Sequence, residues 1–240
     1  MNKKIVCITG ASKGIGAKTA EVFASNNYNI ILHYNSGEKL AKELKDKLEK
    51  KYNIEVYLVQ ADFSKEEDVN KLVEYIKTKT NHLDVLINNA ALSLDCEISS
   101  KTKEEFIKVL DVNLVTPFLL IRALADILES GVVINISSTD GIDTGSIYNM
   151  DYSVSKAGLN CLTKLLSDIY TNIRIYALAP NWVKTESILE MEPNFLQSEL
   201  QRIGQKRLIL PGEVASKIIN IVKDESLSSG SIIRLDGNDE

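Results

Sequence analysis

The chain has 240 residues, the size of one α/β domain, and its 44% hydrophobic and 25% charged residues exclude a mostly disordered polymer. Its 28 Lys and Arg against 33 Asp and Glu leave a net charge of −5, which gives no ground for expecting nucleic acid or an anionic membrane as a partner. Three scattered cysteines and two isolated histidines offer no disulfide framework, metal-ligand spacing or Ser-His-Asp triad, so no metal is expected.

In chain order, short β-branched runs alternate with amphipathic stretches. Strands are predicted at 4–9, 29–34, 55–60, 85–88, 132–137, 174–179 and 232–235, each nearly continuously apolar, as for parallel strands buried on both faces. The first run is too short for a signal-peptide core, and no apolar run spans a membrane, so a cytoplasmic location is expected. Helical stripes lie between the strands: Leu40, Leu44 and Leu48 within 38–51; Val69, Leu72, Val73 and Ile76; and Leu162, Leu165, Leu166 and Ile169. The alternation predicts an α/β fold, a parallel sheet with helices on both faces. No repeat, linker or internal boundary is apparent, so residues 1–240 read as a single domain.

Directly after the first strand, Thr9-Gly10-Ala11-Ser12-Lys13-Gly14-Ile15-Gly16 opens a helix. Glycines let a backbone turn tightly against a pyrophosphate, and a helix N-terminus offers free N–H groups and a positive dipole end, so Gly10, Gly14 and Gly16 predict a dinucleotide site. An NAD site would place an acid at the end of the second strand, where this chain reads His33-Tyr34-Asn35-Ser36. With Lys13 inside the glycine turn, that neutral end favours the 2′-phosphate of NADP(H) over NAD(H), which stays possible. Tyr34 is expected among the cofactor-binding residues; the plainer alternatives are that Lys13 is merely solvated and that Tyr34 packs beside the adenine.

Tyr152 and Lys156 stand four apart on a predicted helix and so share a face. Tyrosine is a poor acid–base catalyst near neutrality, and a neighbouring ammonium is expected to pull its pKa down. Taken with Asn88-Asn89-Ala90-Ala91, Asn113, Ser138 and Pro180-Asn181-Trp182-Val183-Lys184-Thr185, in this order and spacing, the chain resembles the classical short-chain dehydrogenase/reductase family over nearly its whole length. The resemblance implies a doubly wound Rossmann fold with a seven-stranded parallel sheet.

It also implies roles. Tyr152 would be the general acid, Lys156 would lower its pKa and bond the nicotinamide ribose, Ser138 would polarise the substrate oxygen, and Asn113 would hold a relay water. Ser137 and Tyr148 are the rivals for the serine and tyrosine roles. Cofactor contacts would fall on Ser12, Lys13, Ile15, Asn35, Ser36, Asp62, Phe63, Asn89, Ala90, Val183 and Thr185, with Asp62 accepting from the adenine amino group. Three motif positions depart from the family: Ala91 and Asn181 stand where glycine is usual, and Asp236-Gly237-Asn238 replaces Asp-Gly-Gly. Asparagine tolerates the left-handed backbone that the Pro180-Asn181 turn is expected to need.

Within the family the chain looks most like 3-oxoacyl-(acyl-carrier-protein) reductases, which implies a β-ketoacyl or related ketone substrate. Carrier docking would need cations, yet the chain reads Leu128-Glu129-Ser130-Gly131 before the fifth strand and Asp168-Ile169-Tyr170-Thr171-Asn172 after the Tyr–Lys helix. Residues 186–207 are expected to form a substrate lid with an apolar side. The resemblance also implies a homo-oligomer, a tetramer or dimer, and the segments 118–121 and 162–169 are apolar enough to pair copies. An NAD-dependent alcohol dehydrogenase working oxidatively, and a dinucleotide-sensing protein without turnover, are the alternatives.

Overall fold

The computed structural model describes residues 3–238. Its centre is one sheet built from β1 (Ile5–Ile8), β2 (Asn29–Tyr34), β3 (Val56–Gln60), β4 (Val85–Asn88), β5 (Val132–Ile136), β6 (Arg174–Pro180) and β7 (Ile232–Leu235). Every pairing is parallel and the strand order is β3-β2-β1-β4-β5-β6-β7. The chain therefore winds outward from β1 to β3 and then returns to lay β4 on the other side of β1. That reversal opens a crevice at the carboxyl ends of β1 and β4, where open α/β sheets bind ligands.

Strand side chains alternate between two cores. Val6, Ile8, Ile30, Leu32, Val85, Ile87, Ile134 and Leu178 pack on one face, beneath α1 (Gly14–Ser25), α2 (Glu38–Lys51) and α9 (Pro211–Lys223). Cys7, Ile31, Leu86, Val133 and Ile175 pack on the other, against α3 (Glu66–Lys79), α5 (Thr116–Leu124) and α6 (Met150–Ile169). Burial on both faces is why the strands read as unbroken apolar runs, and each fully buried Leu or Ile contributes about 1.5–3 kcal/mol.

The other α-helices among the described residues are α4 (Lys103–Leu110), α7 (Glu186–Leu189) and α8 (Pro193–Arg202). Thr102 and Glu105 start α4 with a reciprocal capping box. Between α4 and α5, Asp111–Val115 forms a π-helical turn. No helix of the described residues is long and apolar enough to cross a membrane.

Two helical stripes differ from expectation. Leu44 and Leu48 are buried on α2, whereas Leu40 is exposed at the edge of the crevice. On α6 only Leu166 of the expected stripe is fully in the core. Leu165 and Ile169 point outward, because Leu159 and Thr163 complete the inward face.

Candidate active site

The crevice is a cleft of about 800 Å³ at the strand ends. Its floor is fixed by Thr9, whose hydroxyl accepts from the main-chain N–H groups of Asn89 and Ala90, each at 2.9 Å. Asn89 reciprocates, its amide donating to the carbonyls of Thr9 (2.8 Å) and Gly10 (3.0 Å). The glycine turn after β1 is thereby bolted to the end of β4. Gly10 has φ +62°, and a Cβ there would stand 2.8 Å from Ala90 Cα; one on Gly16 would stand 2.4 Å from the Gly10 carbonyl oxygen. No side chain caps the start of α1, so its first-turn N–H groups remain for a ligand beside Ser12, Lys13 and Ile15 on the cleft wall. A turn with no Cβ at Gly10, Gly14 and Gly16, set against an uncapped helix start, fits a dinucleotide pyrophosphate.

His33 staples the strand ends together, a role the sequence did not disclose. Its Nδ1 accepts from Gly10 N–H at 3.1 Å, its Nε2 lies 3.0 Å from the Ala61 carbonyl, and its ring stacks on Phe63 at 4.1 Å. Burial holds the imidazole well below its ordinary value, at about 4. It is thus neutral, and accepting at Nδ1 puts its proton on Nε2, toward Ala61.

Of the expected cofactor residues, Gly10, Ser12, Lys13, Ile15, Asn35, Ser36, Asp62, Phe63, Asn89, Ala90 and Thr185 line the cleft, together with Ala91. Tyr34 does not, and this is a correction: alternation along β2 sends its side chain into the core with Ile30 and Leu32, and His33 takes the cleft wall. Gly14 and Gly16 are not on the cleft wall; Gly14 has φ +56° and faces Thr185, and Gly16 packs on the Gly10 carbonyl. Val183 is buried and bridges to Ile209, leaving Thr185 to reach the cleft. Lys13 Nζ lies 3.8 Å from a Glu186 oxygen, both side chains exposed, which is a weak pair. Asp62 accepts from the main chain and hydroxyl of Ser64, and those bonds hold its carboxyl below the usual range. Lys108, also missed in the sequence, lines the same wall. It looks there like any polar residue of an amphipathic helix.

Beyond β4, the end of β5 meets α6. The Ser138 hydroxyl accepts from Asp140 N–H at 3.1 Å and faces the Tyr152 phenol, where it favours the ionised form. Ser137 turns away, its hydroxyl donating to the Lys156 carbonyl at 3.3 Å. Tyr148 is exposed and edge-on to Phe195 of α8. Lys156 Nζ donates to the Ile136 carbonyl at 2.7 Å and stands 5.3 Å from the Tyr152 ring centroid.

Ionisation corrects the expectation from sequence. Burial, then the Asp140 carboxylate, pushes the Tyr152 phenol up, while burial brings Lys156 down to about 7. The ammonium is itself desolvated and bonded to the Ile136 carbonyl, and burial dominates at the phenol.

Asn113 is fully buried in the π-helical turn. Both its amide hydrogens are taken, by the Leu92 carbonyl (2.9 Å) and Ser155 Oγ (3.0 Å), and its Oδ1 accepts from Leu92 N–H at 2.8 Å. Its side chain therefore joins the segment after β4 to α6 and has no donor left for the expected relay water. The Pro180-Asn181 turn is a further correction. Among the described residues the non-glycine positions of positive φ are Asn27 and Ser130, so Asn181 does not take the left-handed backbone. Asparagine serves there as an acceptor, taking the Thr139 hydroxyl at 3.0 Å inside the core.

The short chain dehydrogenase family profile matches residues 4–194. A 3-oxoacyl-(acyl-carrier-protein) reductase of Aquifex aeolicus is 30% identical over 98% of this chain and 96% of its own length. Glucose 1-dehydrogenase 2 of Bacillus subtilis is 31% identical over 98% of this chain and 93% of its own. Among solved structures, L-sorbose reductase of Gluconobacter frateurii, complexed with NADPH and L-sorbose, superposes with a TM-score of 0.88 at 25% identity, covering 98% of this chain and 96% of its own.

Proposed function

The chain belongs to the short-chain dehydrogenase/reductase family, NAD(P)-dependent oxidoreductases of carbonyl and alcohol groups, and on that premise we propose that it is an NADP(H)-dependent reductase of a β-ketoacyl or related ketone with Tyr152 as general acid. The observation that carries the proposal is the meeting of Ser138, Tyr152 and Lys156 at the end of β5, beside the dinucleotide-shaped cleft.

When bound, NADPH supplies the hydride for the carbonyl carbon. Ser138 would donate to the substrate oxygen and polarise it, an oxyanion-type stabilisation. Burial keeps Tyr152 protonated, the form that a general acid needs to deliver its proton to that oxygen. Lys156, brought to about 7, can exchange a proton near neutrality and so restore the phenol. Preference for NADP(H) is supported by Lys13, Asn35 and Ser36 on the cleft wall and by the lack of an acid at the end of β2. Residues 186–207 would cover the substrate.

Identity does not choose the ketone, since relatives named for an acyl and for a sugar substrate resemble this chain equally. A polyhydroxylated ketone is the second reading. It is favoured by Asp140 next to Ser138, surrounded by the Thr144 hydroxyl and the Asn149 amide.

NADPH and NADH oxidation, measured with acetoacetyl-coenzyme A and with L-sorbose, tests both readings. NADPH turnover is expected, and Tyr152→Phe should lower kcat by about 10²–10⁴-fold with NADPH affinity spared. A Tyr152→Phe enzyme as fast as the wild type would remove Tyr152 from its role. Exclusive use of NADH would remove NADP(H).

A further inference from the structure

Beside Tyr152 lies a buried ion pair that the chemistry above does not use. Asp151, in the first turn of α6, is fully buried, and its Oδ2 accepts from Lys101 Nζ at 2.9 Å, the lysine side chain being 6% exposed. Its other oxygen accepts the main-chain N–H of Tyr152 at 3.0 Å. Lys101 Nζ also donates to the Leu94 carbonyl.

A second chain of bonds reaches the same tyrosine from the other side. The Tyr152 carbonyl accepts from Ser155 Oγ at 2.6 Å, Ser155 accepts from Asn113, and Asn113 holds both main-chain groups of Leu92. Donor and acceptor of the Tyr152 backbone are therefore each tied, through different side chains, to residues 92–101. Leu92 itself borders the cleft.

Burying two charges is costly, and a well-packed apolar pair of similar volume commonly serves stability as well or better. What an ion pair adds is direction, since the carboxylate can satisfy Lys101 and the Tyr152 N–H together in one geometry only. We infer that Lys101 and Asp151 are positioning residues, fixing the Tyr152 phenol against Ser138 by anchoring the start of α6 to the segment after β4. This rests on Tyr152 being the general acid.

The test separates position from stability. Lys101→Met should lower kcat by about 10- to 100-fold, the cost of misplacing a reacting group by about 1 Å. KM for NADPH should stay unchanged. Lys101→Arg, which keeps the charge, should recover most of kcat. The double variant Lys101→Met/Asp151→Leu should melt at or above the wild-type temperature yet remain slow. Wild-type kcat in Lys101→Met or in the double variant would overturn the inference.

A readout independent of turnover keeps it distinct from the function proposed above. In protein carrying ¹³Cζ-tyrosine, the Tyr152 resonance is identified by its loss in Tyr152→Phe. It should move in Lys101→Met and in the double variant and return in Lys101→Arg. An unmoved resonance overturns the positioning role even if acetoacetyl-coenzyme A and L-sorbose both prove not to be substrates, an outcome that would count against the proposed function alone.

Discussion

A neutral imidazole at His33 holds together the ends of β1, β2 and β3, so acid should attack the cofactor cleft at that residue first. The folded imidazole titrates near 4 and the unfolded one near 6.5. Between those values the unfolded chain binds more protons, and stability falls as pH falls through that window. For this group the loss between pH 7 and 4.5 is roughly 2–3 kcal/mol. Denaturant titrations at the two pH values should show it, and His33→Gln, which cannot titrate, should show a smaller acid loss. An identical acid loss in the variant would mean that the carboxylates alone account for it. His33 is legible only in three dimensions: the sequence shows one histidine near the end of a strand, while its meaning comes from Gly10, Ala61 and Phe63.

At the scale of elements, α8 is held down by a clamp. Glu199, nearly buried, accepts from Arg202 at 2.8–3.2 Å, and Arg202 Nη2 also donates to the Thr144 carbonyl at 2.9 Å. The clamp ties the proposed lid to the loop that begins at Ser138, and edge-on contact of Tyr148 with Phe195 adds to it. Arg202→Met should raise substrate KM several-fold and leave NADPH affinity unchanged, while costing about 1–3 kcal/mol of stability through the deprived Glu199. Steady-state kinetics with calorimetry checks this, and unchanged KM would separate the clamp from substrate binding.

The strands and α2 were readable because burial on two faces, or on one, imposes its own period on the chain. The π-helical turn at Asp111–Val115 was not. It differs from a helix by a one-residue shift in bonding, and Asn113 makes its side-chain bonds there to Leu92 and Ser155, residues distant in sequence.

For the whole molecule, the outer face of α6 carries an unpaired apolar stripe of Val154, Cys161, Leu165 and Ile169, with Leu165 56% and Ile169 67% exposed. Ile107 and Val115 are exposed on the neighbouring α4 and π-helical turn. By contrast, Leu120 and Ile121, expected from sequence to pair copies, are spent on the chain's own core. Assembly through α6 is therefore expected, with a sedimentation mass that is a multiple of 26.7 kDa. Leu165→Glu combined with Ile169→Glu should reduce it to the single-chain mass. A wild-type protein that sediments as one chain would refute this interface.

Local periodicity and spacing by themselves determined the parallel sheet, the glycine turn after β1, and the placement of Tyr152 and Lys156 on one helical face. Each of these is set by residues near one another in the chain. Tertiary structure alone decided that His33 rather than Tyr34 faces the cleft, that Ser138 rather than Ser137 meets Tyr152, and that Asn181 serves as an acceptor. It also decided that the phenol is raised and the ammonium lowered, and that Lys101 lies against Asp151. These depend on desolvation and on contacts between segments far apart in sequence, which come into being only when the sheet closes.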